Sequence, residues 1–179
     1  MDYCSSLLAG TSVSNLARLQ LVQNTLARVV TEKSRFCHIT PVLSELHWLP
    51  VRHRINFKIA TITFKVLQFQ QPSYLAALIP RYVPTRSLRS SSSLSLCVPT
   101  RKTEMAKSKS FSSVASSVWN KLPGHLSSIS TLPAFRKKLK HHLFRSAFPG
   151  NPSPSTGITF CDVSPSTDAT QVGHTPPPG

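Results

Sequence analysis

Apolar residues recur with helical spacing along His47–Gln70, HWLPVRHRINFKIATITFKVLQFQ. At about 100° per residue, Val51, Ile55, Ile59, Ile62, Val66 and Phe69 fall on one face, and Phe57, Ala60, Phe64 and Leu67 on a second. Between them runs one polar strip of Arg54, Lys58, Thr61, Lys65 and Gln68. Pro50 sits where a first helical turn tolerates a missing N–H. A helix that is apolar around most of its circumference is buried by neighbours on both sides. The pattern therefore predicts a central helix with a core around Val51, Ile55, Ile59, Ile62 and Val66. Its one basic edge is either a solvated face or a contact for phosphate.

The flanking pattern predicts further helices. After Gly10 and Thr11, Ser12 or Ser14 caps a helix whose stripe is Leu16, Leu19, Gln23, Leu26, Ala27 and Val30, with Arg18, Thr25 and Arg28 opposite. Thr31–His38 reads as a loop. Thr40 and Pro41 start a short helix through Leu46, and Tyr74–Ile79 is one or two apolar turns stopped by Pro80. Phe111–Asn120 is a helix with Phe111, Val114, Ala115, Val118 and Trp119 on one side, and Gly124–Ser128 is a turn. Thr131 and Pro133 open the last helix, with Leu132, Phe135, Leu139 and Leu143 as its apolar stripe. Two stretches break the periodicity. Arg81–Ser110 is rich in serine and basic residues and reads as extended or flexible, although Leu94, Leu96 and Val98 alternate as a short strand would. Beyond Phe148 the chain is Pro, Ser, Thr and Gly, which cannot bury enough apolar surface to offset ordering. The expected architecture is all-α: a small helical bundle around one central helix over residues 1–148, a basic flexible arm at 81–110 within it, and a disordered C-terminal tail at 149–179.

Charge adds a direction to this picture. The 179 residues carry 21 Lys and Arg against 6 Asp and Glu, a net charge of +15. Residues 1–79 are net +5, residues 80–150 net +12 and residues 151–179 net −2. Such an excess points to a polyanionic partner, nucleic acid before an anionic membrane. The candidate contacts are Arg54, Lys58 and Lys65 on the central helix, with Arg81, Arg86, Arg89, Arg101, Lys102, Lys107 and Lys109 in the arm. Arg136, Lys137, Lys138 and Lys140 on the last helix complete the set. Such cations track a phosphate backbone by displacing counterions, with no sequence readout. In the arm the aromatic residues do not interleave with these cations, so base stacking is not indicated.

Other chemistry is poorly supported. Asp2, Glu32, Glu45, Glu104, Asp162 and Asp168 are scattered, whereas two-metal phosphoryl transfer needs clustered carboxylates. There is no GxxxxGK or GxGxxG phosphate loop, no GxSxG elbow and no HExxH. His141 and His142 are adjacent and point about 100° apart on a helix, a poor arrangement for one metal. Cys4, Cys37, Cys97 and Cys161 form no CxxC pair and are expected to be free and reduced. No apolar run approaches the ~20 residues of a membrane span, and the first residues do not read as a signal peptide. The sequence thus argues against an enzyme, a metal site, a cofactor, a small-molecule substrate or a membrane. It points to an intracellular protein of the nucleus or cytoplasm.

Five segments carry a resemblance: MDYCSSLLAG at Met1–Gly10, LARLQLVQNTLARVV at Leu16–Val30, HITPVLSELHWLPVRHRINFKIATITFKVL at His38–Leu67, PSYLAALI at Pro72–Ile79 with SLRS at Ser87–Ser90, and FSSVASSVWNKLPGHLSS with FRKKLKHHLF within Phe111–Phe144. In this order they resemble the C-terminal part of the reverse transcriptase of LINE-type, non-LTR retrotransposons of the jockey and chicken-repeat kind, over about residues 1–145. The resemblance implies a position in the thumb and the region after it, which in related polymerases holds template and primer. It implies that the catalytic Asp-Asp motif lies upstream, that Met1 is an internal methionine used as a start, and that none of the matching positions is catalytic. The tail after Phe148 does not follow the family pattern. The functional expectation is a truncated, non-catalytic fragment of an RNA-directed DNA polymerase with residual sequence-independent RNA or DNA binding. The alternative is a protein-interaction module, or a pseudogene-like product with no selected function.

Overall fold

The computed structural model describes residues 5–82, 95–100, 102–103 and 109–150. Among them the chain is all-α. A 3₁₀ turn at Ser5–Leu8 leads into α1 (Val13–Val30), α2 (Ile39–Glu45), α3 (Val51–Phe69) and α4 (Ser73–Leu78). After the arm come α5 (Phe111–Asn120), the single turn α6 (Gly124–Ser127) and α7 (Leu132–Ala147). The tail expected to be disordered lies, from residue 151 on, outside the described residues.

The central helix forms where its periodicity requires it. α3 packs against the 3₁₀ turn, α1, α4, α5 and α7. Ile55, Ile59 and Val66 from its first face and Ala60, Phe64 and Leu67 from its second are buried. Val51 and Ile62 are only half-buried, and Phe69, at 57% exposure, lies outside the core because the helix ends there. Gln70 takes a left-handed conformation (φ 53°) and closes α3 with its N–H on the Val66 carbonyl. The face of α7 read from the sequence is also the buried one: Phe135, Leu139 and Leu143 are in the core, joined by Phe144. The Phe64 and Phe135 rings stack with centroids 4.3 Å apart, and the Trp119 ring of α5 lies 5.9 Å from that of Phe135. Serines line the rest of the α5 face. Ser112, Ser113 and Ser116 are buried, and small side chains there leave room for close approach to α3.

Two parts of the chain depart from the pattern. α1 does not bury its whole stripe: Gln23 and Ala27 are buried and Leu16 half-buried, but Leu19, Leu26 and Val30 stay 37%, 42% and 55% exposed. The reason is polar. α1 meets the bundle through glutamine amides: Gln23 Nε2 donates to the Leu49 carbonyl (2.9 Å), and Gln20 Oε1 accepts from the Val51 N–H (2.9 Å). Pro50 has no side chain that could cap α3, so Gln20 of α1 caps it from a distance. The arm also is anchored at its start and at its middle. Arg81 and Leu96 form an isolated antiparallel bridge, and Leu96, 2% exposed, is part of the core. Asn120 holds Leu96 in both directions, accepting its N–H and donating to its carbonyl at 2.9 Å each. Residues 83–94, 101 and 104–108 of the arm lie outside the described residues.

The Phe64–Phe135 stack should therefore dominate stability. Phe135→Ala is expected to cost about 3–5 kcal/mol, measured as a loss of denaturant midpoint at constant slope. A change below 1 kcal/mol would contradict the assignment of this pair to the centre of the core.

Candidate nucleic-acid interface

The polar strip of α3 recurs at i, i+4, i+7 and i+11 from Arg54, so Arg54, Lys58, Thr61 and Lys65 share one face. Over that interval the helix rises about 16 Å. On α7, Arg136 and Lys140 are four apart and also share a face. Because α3 and α7 pack together, the two rows meet: Arg54, Lys58, Lys65, Arg136 and Lys140 line one open cleft of about 760 Å³. None of the described residues lining it is acidic. Arg54 and Lys58 are half-buried, while Lys65, Arg136 and Lys140 are exposed. Thr61 is buried and donates to the Phe57 carbonyl at 2.7 Å, so this member of the strip serves its own helix rather than water.

The cleft also has an aromatic and apolar lining. Trp48, Phe57 and His47 line the same cleft, with Leu26, Leu49 and Ile62. The chain arrives there through a tight corner. His47 is left-handed (φ 53°) and ends α2, with its N–H on the Ser44 carbonyl and the Trp48 N–H on the Leu43 carbonyl. A non-glycine residue in that region carries strain. The exposed His47 ring stacks on Phe144, with centroids 5.8 Å apart. In the cleft, unlike in the arm as read from the sequence, aromatic and basic residues occur together. The signal for Phe57 was present, since it lies one residue before Lys58 and three after Arg54. For Trp48 there was none, because a turn and not a periodicity carries it into the cleft.

The other sequence candidates lie elsewhere. Lys137 and Lys138 are exposed on α7 but do not line the cleft. Arg81 donates from Nη2 to the Leu67 carbonyl at 3.2 Å, next to the end of α3. Lys102 and Lys109 are exposed and away from the cleft. Arg86, Arg89, Arg101 and Lys107 lie outside the described residues. Lys33 pairs with Glu45 at 2.9 Å on the surface. That carboxylate raises the Lys33 pKa, mainly through the hydrogen bond. Among the described residues no group of three or more His, Cys, Asp or Glu could hold a metal, and no helix is long and apolar enough to cross a membrane. No family model, curated protein or solved structure matches the chain.

Two histidines tie stability to pH. Burial, followed by the neighbouring Arg52, lowers the pKa of His53 in the first turn of α3, and its Nδ1 is buried with no partner. Burial also lowers that of His142, helped by the charges of His125, Arg145 and His141. Above the ordinary value of 6.5 both groups are neutral in the folded and the unfolded chain, and the fold has its full stability. As pH falls through 6.5 the unfolded chain takes up protons that the fold resists, so stability is lost. The urea midpoint should be lower at pH about 5.5 than at pH about 7.5, and His53→Leu should narrow that difference. Equal midpoints at the two pH values would show that these histidines do not couple to folding.

Proposed function

We propose that the chain is a non-catalytic fragment of a retrotransposon RNA-directed DNA polymerase that binds RNA or DNA without sequence preference, in the nucleus or cytoplasm. The origin rests on the resemblance of residues 1–145 to the thumb and post-thumb region of LINE-type reverse transcriptases. The binding rests on one observation: the basic rows of α3 and α7 converge on a single cleft whose described lining has no carboxylate. Cations gathered in this way repel one another, and a polyanion relieves that repulsion while releasing its own counterions. No cofactor or small-molecule substrate enters this reading, and none of the residues in the cleft is assigned a catalytic role.

The exposed side of α1 favours a second reading. Leu21, Val22 and Val29 are 64%, 53% and 68% exposed, an apolar surface of the kind that marks contacts with other proteins. An apolar dock of that type would be insensitive to salt, which separates it from phosphate binding.

Salt dependence also tests the cleft itself. Phosphate contacts by Lys58, Lys65, Arg136 and Lys140 on a single strand give a slope of about −3 in log affinity against log salt, at about −0.7 per contact. Replacing Arg136 and Lys140 by Gln should flatten that slope by about 1–2, and replacing Lys137 and Lys138 by Gln should change it by less than about 0.5. Fluorescence anisotropy at several salt concentrations gives both numbers. Equal flattening by the two pairs would place the contacts outside the cleft. No binding at low salt would reject nucleic acid as the partner.

A further inference from the structure

We infer that the cleft takes single-stranded polynucleotide in preference to duplex, with a base laid against Trp48 and Phe57 while its phosphates meet the cations of α3 and α7. This inference rests on the binding proposed above and adds the strand state and the contact to the base. Three observations carry it. First, the cleft is not a purely electrostatic groove: Trp48 and Phe57 line it together with Arg54, Lys58, Arg136 and Lys140. A surface that only tracked phosphates would have no use for this lining, whereas a strand with exposed bases presents a flat apolar face to match it. Second, both rings are half-buried, so each keeps a surface towards the cleft while the rest of the side chain is fixed by the fold. Such rings stack without losing much conformational freedom. Third, the cap that ends α2, with the Trp48 N–H on the Leu43 carbonyl and His47 left-handed, places Trp48 in this lining through backbone hydrogen bonds.

Base accessibility decides between strand states. A duplex keeps its bases stacked inside and could offer the cleft no more than one backbone. To place a base on Trp48 it would first have to unpair and unstack it, which a single strand does not have to do. Discrimination between bases is not expected, because every base has a face to stack.

Tryptophan emission reads this contact directly. The chain has two tryptophans, and Trp119 is 3% exposed in the core, out of reach of a ligand. The full chain is titrated with oligouridylate, with the same oligonucleotide paired to oligoadenylate, and with inorganic polyphosphate, a polyanion without bases. Trp48→Phe, which keeps a ring in place, assigns the signal. Oligouridylate is expected to quench Trp48 emission and to bind at least roughly tenfold more tightly than the duplex. Polyphosphate is expected to compete for the site without quenching. Trp48→Phe should remove the quench while shifting affinity by less than about threefold. Trp48→Ala should weaken oligouridylate binding roughly 5- to 100-fold and leave polyphosphate unchanged. Oligouridylate binding without quenching, or equal affinity for strand and duplex, would overturn base stacking in the cleft while leaving phosphate binding standing. Failure of all three polyanions to bind at low salt would overturn the function proposed above together with this inference.

Discussion

The stack of Phe64 on Phe135, at 4.3 Å, fixes the register of α3 against α7, and the rest of the molecule depends on it. Three residues before Phe64 lies Thr61, and one after it Lys65; one residue after Phe135 lies Arg136. The two rings are buried side by side, so the cations on the flanks of both helices are carried to the same side of the contact. A hydrophobic contact thus does what the charges could not do alone. Like charges separate when they are free to move, and here apolar burial holds them in one cleft. The two effects act against each other, and the centre of the core and the basic cleft are built from the same pair of helices.

A second layer of constraint holds the corner before α3. Gln20 and Gln23 reach from α1 to the backbone of Val51 and Leu49, and the left-handed His47 turns the chain just ahead of them. Both glutamines are tied by long-range bonds, so α1 is attached through polar groups while much of its apolar surface stays in water. Gln23 Oε1 remains buried without a partner, a burden on folding of roughly 1–3 kcal/mol for such a group. Gln23 and Leu26 reach the cleft as well, so α1 links the corner, the exposed apolar face and the site.

The helices were legible in the sequence because periodicity reports burial directly. α3, α5 and the buried face of α7 follow from residue types at 3.6-residue spacing, and the bounds of α5 coincide with those read from the chain. The α3 strip was legible for the same reason, including its basic character. Three things were not. The meeting of Arg54, Lys58 and Lys65 with Arg136 and Lys140 is a tertiary event between residues 71–86 positions apart, and no local pattern encodes it. The exposure of Leu19 and Leu26 beside the buried Gln23 follows from the bond of Gln23 to a backbone carbonyl of a different segment. The entry of Trp48 into the cleft depends on a left-handed histidine, a conformation that residue identity does not announce where glycine is the usual choice.

The central claim is that the cleft between α3 and α7 is where polynucleotide binds. Methyl and indole NMR spectra of the full chain, recorded with and without a single-stranded oligouridylate, test it most directly. Ile62 and Trp48 line the cleft, whereas Ile79, Ile129 and Trp119 do not. The expected result is a saturable shift of the Ile62 methyl and the Trp48 indole signals, with those of Ile79, Ile129 and Trp119 unmoved. Shifts at Ile79 or Ile129 with Ile62 and Trp48 unchanged would contradict the account.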